Sequence, residues 1–434
     1  MRPLLPSLAF VVLFGVVGIF AFVGEDPSGP EARRQRGMDL IHYWVAGTLL
    51  DGGEAAQLYD SRAYRPEYKR LHPIRPPRYP VGYPPPIYQL FSLPQPAISY
   101  LTGAKLLLAG FAALHALGAA LFVAAARLPT SIRPTAFALA VALPGAISSV
   151  MSGQLGGLWV LALGGGWWLR GLGRPVAAGV VLGLLFMKPT LALPVGLAFL
   201  LLGELRLLGG LLLGGAGVLA LSLAAPDGPV AWSAYFGRLS DPADLVGDFW
   251  IHWHRQGTLR NLAAGLAGAK STWAAPLGGL GMAVGLAGAV ALAWRNRRGA
   301  KPELVAPAVL SWCLLAAPHL LEYDLGLHLP ALLASAVWLA SGRARYPRVG
   351  AVLLAAAWAA GALVLLSKGS RVNLTALALG LWAAWLAVEV FASSGEGTTA
   401  APRFAPDPAR STDGRGEAPP PALRAATVGP ARGA

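Results

Sequence analysis

The sequence predicts an all-α polytopic membrane protein, a bundle of about 12 transmembrane helices with a long first extracytoplasmic loop carrying short amphipathic helices. Three observations carry that prediction. Apolar runs approaching or exceeding the ~20 helical residues that cross a ~30 Å hydrocarbon core recur along the chain. Only 13% of the 434 residues are charged and 55% are hydrophobic, against roughly 25% charged in soluble domains; mean hydropathy is +0.54. The 54 glycines suit close helix approach inside a bilayer, where small residues let backbones meet.

The balance of charge is basic, +14 with a pI near 10.3. The Lys and Arg residues sit in loops between apolar runs, as membrane orientation and anionic headgroups require. The basic charge therefore argues for topology, and no nucleic-acid partner is expected. The single cysteine, Cys313, lies in an apolar run and leaves neither an intramolecular disulfide nor a CxxC metal site. No HExxH, DxD, P-loop or GxGxxG in a βαβ context appears.

In chain order, 4–23 is apolar behind Arg2 and is read as a signal anchor, being long for a signal-peptide core and lacking an A-x-A site. A polar loop, 24–100, follows. Further apolar runs cover 101–126, 134–150, 154–169, 175–188, 190–203, 207–225, 274–294, 304–318, 325–341, 349–366 and 373–393. With an N-terminus inside, the inner loops hold twelve cations: Arg127, Arg133, Arg170, Arg174, Arg206, Arg295, Arg297, Arg298, Lys301, Arg343, Arg345 and Arg348. The short outer loops hold three, Lys188, Lys368 and Arg371. That asymmetry supports an N-in, C-in arrangement with an even number of spans. Two large segments then face outward, 24–100 and 226–273. The second contains DFWIHWHRQGTLRNLAAGLAG, whose tryptophans suit the interface and whose end reads as a helix lying on the membrane. Residues 1–393 make one membrane domain. From 394 to 434 the Pro, Ala, Gly, Arg and Ser composition predicts a disordered cytoplasmic tail.

Ionisable groups inside a bilayer are costly unless paired or wet, so polar islands near the outer span ends are informative. In MDLIHYWVAGTLL (38–50), an amphipathic helix would place Asp39, His42 and Tyr43 on one face; Asp39 also suits a helix N-cap. In RYPVGYPPPIYQLFSLP (78–94), proline locks φ and restricts its predecessor. Tyr83 and the three prolines after it are therefore expected as a rigid extended segment, either a stiff linker or a substrate contact. Gln154 sits in a very short outer turn, where it can bond a polar ligand or satisfy helix ends. Lys188, before Pro189, is either a snorkelling anchor or a point charge for a lipid phosphate. The turn 318–324 gathers His319, Glu322, Tyr323 and Asp324, with Glu322 or Asp324 able to cap the next helix. His252 and His254 are two apart, the wrong spacing for a helical metal pair.

Five segments together resemble the GT-C-type glycosyltransferases of family 87, which include mannosyltransferases that use polyprenyl-phosphate mannose. They are DLIHYWVAGTLLDGGEAAQLYD, YPPPIYQLFSLP, SGQLGGLWVLAL, AGVVLGLLFMKPT and PHLLEYDLGLHLP, in the family's order across most of 38–340. The resemblance implies a GT-C-like bundle, a lipid-phosphate sugar donor, and an Asp of the first outer loop as general base, which falls on Asp39. The family's Gly-Gln pair falls on Gly153-Gln154 and its Lys-Pro on Lys188-Pro189, and Tyr323-Asp324 fits the last motif. His42, Tyr43, Tyr83 and His319 complete the expected donor- and substrate-binding set, although His319 stands where many members carry other residues.

That reading implies transfer of a hexose, with mannose expected, from a polyprenyl-phosphate-linked sugar donor to a lipid or glycan acceptor. The reaction would occur on the extracytoplasmic face of a bacterial plasma membrane, among membrane lipids. A carboxylate takes the acceptor proton and a cation stabilises the departing phosphate. Phosphate is already a good leaving group, so the expectation includes no cofactor and no obligatory metal. The alternative is a polytopic transporter or lipid flippase without transferase chemistry. Such proteins usually show internal repeats and midplane ionisable residues, and neither is evident here.

Overall fold

Proline sets the punctuation of this molecule. It stands at the first or second position of helix after helix, where its missing N–H is not needed and its fixed φ is already helical. The protein is seen in a computed structural model that describes residues 38–71, 82–93, 97–126, 128–240, 253–268, 271–296, 302–367, 370 and 372–392. Helices α1 (Met38–Asp51), α2 (Ser61–Leu71) and α3 (Pro85–Ser92) precede α4 (Tyr100–Ala125), α5 (Arg133–Val141), α6 (Pro144–Ser152) and α7 (Gly156–Gly171). Then come α8 (Pro175–Leu182), α9 (Pro189–Leu201), α10 (Leu205–Ala224), α11 (Gly228–Leu239), α12 (Leu259–Leu266) and α13 (Ala274–Asn296). The chain continues through α14 (Pro302–Leu315), α15 (Leu329–Ala340), α16 (Pro347–Trp358), α17 (Ala360–Ser367) and α18 (Leu374–Ala392). Short 3₁₀ segments, Gly183–Met187 and Glu322–His328, lead into α9 and α15. Among the described residues there is no strand, only an isolated antiparallel bridge between Gln256 and Leu321.

The all-helical class agrees with the sequence, and helix ends fall within a few residues of the expected apolar runs. Five stretches among the described residues are long and apolar enough to cross a membrane: α4, α10, α13, α18 and Glu322–Ala340. Two more are counted if the bent pairs α5/α6 (41°) and α16/α17 (69°) each make one span. The expected twelve also included shorter apolar helices such as Pro189–Leu201, too short to cross by themselves, and 4–23, which lies outside the described residues. So do 241–252 and the expected tail.

Most of the buried apolar side chains form one continuous core running from Leu40 on α1 to Val390 on α18. Large apolar side chains also remain outward, among them Leu212, Leu213 and Leu221 on α10 and Val284 and Val290 on α13. Such surface is what a bilayer covers.

The outer segment departs from expectation in two places. First, α1 is buried nearly all round and is not amphipathic. Leu40, Tyr43 and Ala46 join the main core, while Ile41, Val45 and Leu49 form a second cluster with Tyr64 and Tyr68 of α2. The amphipathic element is α2, whose cover removes the solvent face that α1 would otherwise have. Second, only Pro84 of the proline run is extended (φ −62°, ψ 155°), and Pro85 and Pro86 open α3.

Candidate active site

Asp39 lies in the first turn of α1, where the helix dipole favours a carboxylate. Tyr43 follows one turn later on nearly the same side. Their common partner comes from the end of α6. There Gly153 takes φ 73°, ψ 32°, a left-handed conformation open to glycine at little cost. Its N–H bonds the Val150 carbonyl at 3.0 Å and the Gln154 N–H bonds that of Ser149 at 2.8 Å, the paired closure of a Schellman ending. The chain is thereby turned so that Gln154 enters the protein, where it is 4% exposed.

Gln154 is the junction of the site. Its Nε2 donates to Asp39 Oδ2, while its Oε1 accepts from the hydroxyls of Tyr43 and Tyr83, each at 2.9 Å. Burial is the main cause that pushes both phenols above the ordinary range, so they remain donors at neutral pH. Two hydroxyl donors fix the amide oxygen on their side and leave the N–H for the carboxylate. Tyr83 is itself held from both ends. Its N–H donates to the Tyr88 hydroxyl at 3.2 Å, and its carbonyl accepts from Tyr59 at 2.6 Å.

Lys188 reaches the site because a proline disfavours helix in the residue before it. The chain leaves the 3₁₀ segment at Lys188 with φ −134°, ψ 83° and re-enters helix at Pro189. Its Nζ donates to both oxygens of Asp324, at 2.8 and 2.7 Å, and lies 5.1 Å from the centre of the Tyr323 ring and 5.8 Å from that of Tyr83. Asp324 also accepts from the Leu321 N–H at 3.3 Å, so it caps the 3₁₀ turn as well. The turn can sit here because α7 begins with Gly156, where a Cβ would lie 2.7 Å from the Tyr323 carbonyl oxygen and 2.3 Å from Ser149 Oγ.

Two groups absent from the expected site complete it. Arg255 donates through Nε, at 2.8 Å, and through Nη2 to Glu322 Oε1, and its guanidinium lies 5.9 Å from the Tyr323 ring centre. Glu322 also accepts from Ser148 at 3.4 Å. The backbone brings them together: the Gly257 N–H donates to the Leu320 carbonyl at 2.8 Å beside the Gln256–Leu321 bridge. Tyr323 thus has a carboxylate on each side in sequence, each pairing with a cation that approaches its ring. The sequence signal for Glu322 was its place in the dense 318–324 turn. Arg255 had only its position among interfacial aromatics.

The structure does not gather all the expected residues. His42 Nδ1 is 2.7 Å from the Tyr64 hydroxyl, and its ring lies 5.7 Å and 5.4 Å from those of Tyr64 and Tyr68. Successive helical positions differ by ~100°, so His42 and Tyr43 fall on opposite flanks of Asp39, and α2 captures the former. His319 is half-buried in the same turn as Glu322 and Asp324. Among the described residues no three His, Cys, Asp or Glu side chains are grouped as metal ligands would be.

The model of glycosyltransferase family 87 matches residues 82–321, more than half of the chain. The protein belongs to glycosyltransferase family 87. Its apolar helices make this family-87 glycosyltransferase an integral membrane protein. The match includes Tyr83, Gln154, Lys188, Arg255 and His319; Asp39 and Tyr43 lie before it, and Glu322, Tyr323 and Asp324 just after. No curated protein and no solved structure matches the chain.

Proposed function

We propose that this family-87 enzyme transfers a hexose, mannose being the expected sugar, from a polyprenyl-phosphate donor to a lipid or glycan acceptor, with Asp39 as general base. The observation that carries the reading is the Asp39–Gln154 bond. It holds a half-buried carboxylate in one orientation, through an amide that the buried Tyr43 and the half-buried Tyr83 hold in turn. In the reaction the acceptor oxygen attacks the anomeric carbon and its proton passes to Asp39. The bond from that carbon to the phosphate oxygen breaks, and the phosphate leaves with the electron pair. Lys188 and Arg255, each already held by a carboxylate beside Tyr323, are the cations available to the developing charge on the phosphate. Tyr83, next to both Gln154 and Lys188, spans the base end and the donor end. The site would face the extracytoplasmic side of a plasma membrane, with membrane lipids around it. No cofactor is part of the proposal, and the chain's own groups are sufficient for its proton transfer.

The test is transfer from synthetic polyprenyl-phosphate mannose to membrane lipids by the reconstituted full chain. Asp39→Asn should abolish transfer while expression, membrane insertion and melting behaviour stay close to those of the unaltered protein. Undiminished turnover in that variant removes Asp39 as base. Flux of a substrate across the bilayer without sugar transfer would move the protein to the transporter class.

A further inference from the structure

We propose that Arg255, rather than Lys188, makes the direct contact with the donor's phosphate, with Arg260 at the edge of the same site. This rests on the transferase reading above and assigns its anion-binding residue. The argument begins with what Lys188 has left to give. Its ammonium is shared by both oxygens of Asp324, and the two side chains are 6% and 0% exposed. Asp324 takes two of the ammonium's three N–H groups, and a phosphate reaching for the third would have to be desolvated in an enclosed site beside the Asp324 carboxylate. Lys188 therefore serves mainly to hold Asp324, and with it the 3₁₀ turn that carries Tyr323.

Arg255 is differently placed. Its side chain is 28% exposed. Glu322 takes Nε and Nη2, which leaves the Nη1 edge of a group that carries five donors in a planar fork. An arginine with one edge held by a carboxylate is oriented in advance, so less freedom is lost when the other edge meets an anion. Its guanidinium lies 5.9 Å from the centre of the Tyr323 ring, which Lys188 approaches at 5.1 Å, so Arg255 belongs to the same cluster. Further positive charge lies close in sequence. Residues 253–260, WHRQGTLR, carry no acidic group, and Arg260 Nη1 donates at 3.4 Å to the Pro318 carbonyl, at the start of the turn that holds Glu322. The ligand class is a phosphate ester on an isoprenoid chain.

The experiment measures binding, not turnover. Full-length protein in detergent is titrated with farnesyl phosphate and, separately, with farnesol. The unaltered protein should prefer the phosphate. Arg255→Gln should weaken farnesyl phosphate binding roughly tenfold to a hundredfold, the range for one or two charge-assisted hydrogen bonds, with farnesol unaffected. Arg255→Lys, which keeps the charge and loses the fork, should fall between. Arg255→Gln leaves Glu322 unpaired, so Arg255→Gln/Glu322→Gln is measured beside it and should show the same loss in a protein with its buried charge removed. A phosphate preference that survives in both variants overturns the inference, as does a preference lost only when Lys188 and Asp324 are replaced together. Absence of any preference in the unaltered protein overturns it along with the donor class. Asp39→Asn in the transfer assay tests the base independently.

Discussion

Lys188 and Asp324, 136 residues apart in sequence, form a two-pronged ion pair with almost no exposed surface. Removing one partner of such a pair leaves the other as a bare buried charge, which costs about 3–5 kcal/mol, whereas removing both can be close to neutral. Asp324→Leu is expected to lower the thermal midpoint sharply, and Lys188→Met/Asp324→Leu to recover most of the loss. Melting curves in one detergent decide it. A loss in the double variant equal to the sum of the losses from Lys188→Met and Asp324→Leu alone would mean that the pair is not energetically coupled.

Gln154 separates the Asp39 carboxylate from two phenols, and its N–H is the part that matters for the base. Gln154→Glu replaces that donor with an acceptor beside a second carboxylate. Two adjacent carboxylates resist losing their second proton, so the acid limb of the kcat/KM profile should move to higher pH by about 1–2 units. An acid limb at its original pH would show that Gln154 does not touch the catalytic base.

Gly156 is where the α7 backbone lets the Tyr323 carbonyl approach. A Cβ would meet it at 2.7 Å and Ser149 Oγ at 2.3 Å, so Gly156→Ala has to push the turn away. Overpacking of this kind costs about 1–3 kcal/mol. The Lys188–Asp324 contact should loosen with it, and donor KM should rise more than kcat falls. A change in kcat alone would separate the turn from donor binding.

His42 makes stability depend on pH. Burial lowers its pKa from 6.5 to about 4, so between those values the unfolded chain binds the proton and the folded protein does not. Stability from this group is complete above about pH 6.5 and is lost as pH falls toward 4. From pH 7 to pH 5 the loss is about 2 kcal/mol. His42→Gln can still bond Tyr64 and does not titrate, so its thermal midpoint should fall less across that interval. The comparison is made by melting both proteins at the two pH values.

Much of the fold was legible because its signals are local. Runs of apolar residues gave the helices, and Pro189 gave the break at Lys188, whereas the break before Pro144 fell inside the single apolar run 134–150. The same signals marked Asp39, Gln154, Lys188 and the 318–324 turn, since a polar residue at the edge of an apolar run stands out without any knowledge of packing. Periodicity failed at α1, because whether a helix is amphipathic depends on what covers it. Tyr64 and Tyr68 of α2 cover the side that was expected to face solvent. It failed again for His42, whose shared face with Asp39 was divided between two neighbours.

By itself, then, the sequence determined a helical membrane chain, some of the places where its helices break, and a short set of polar residues at the ends of its apolar runs. Tertiary structure decided the partners. Asp39 meets Gln154 across 115 residues, Lys188 meets Asp324 across 136, and Arg255 meets Glu322 across 67. The reason is physical. Helix formation and helix breaking depend on residues within a turn or two of each other. A buried charge finds its partner only when packed helices bring distant loops together, and no local pattern in the chain records which loops those are.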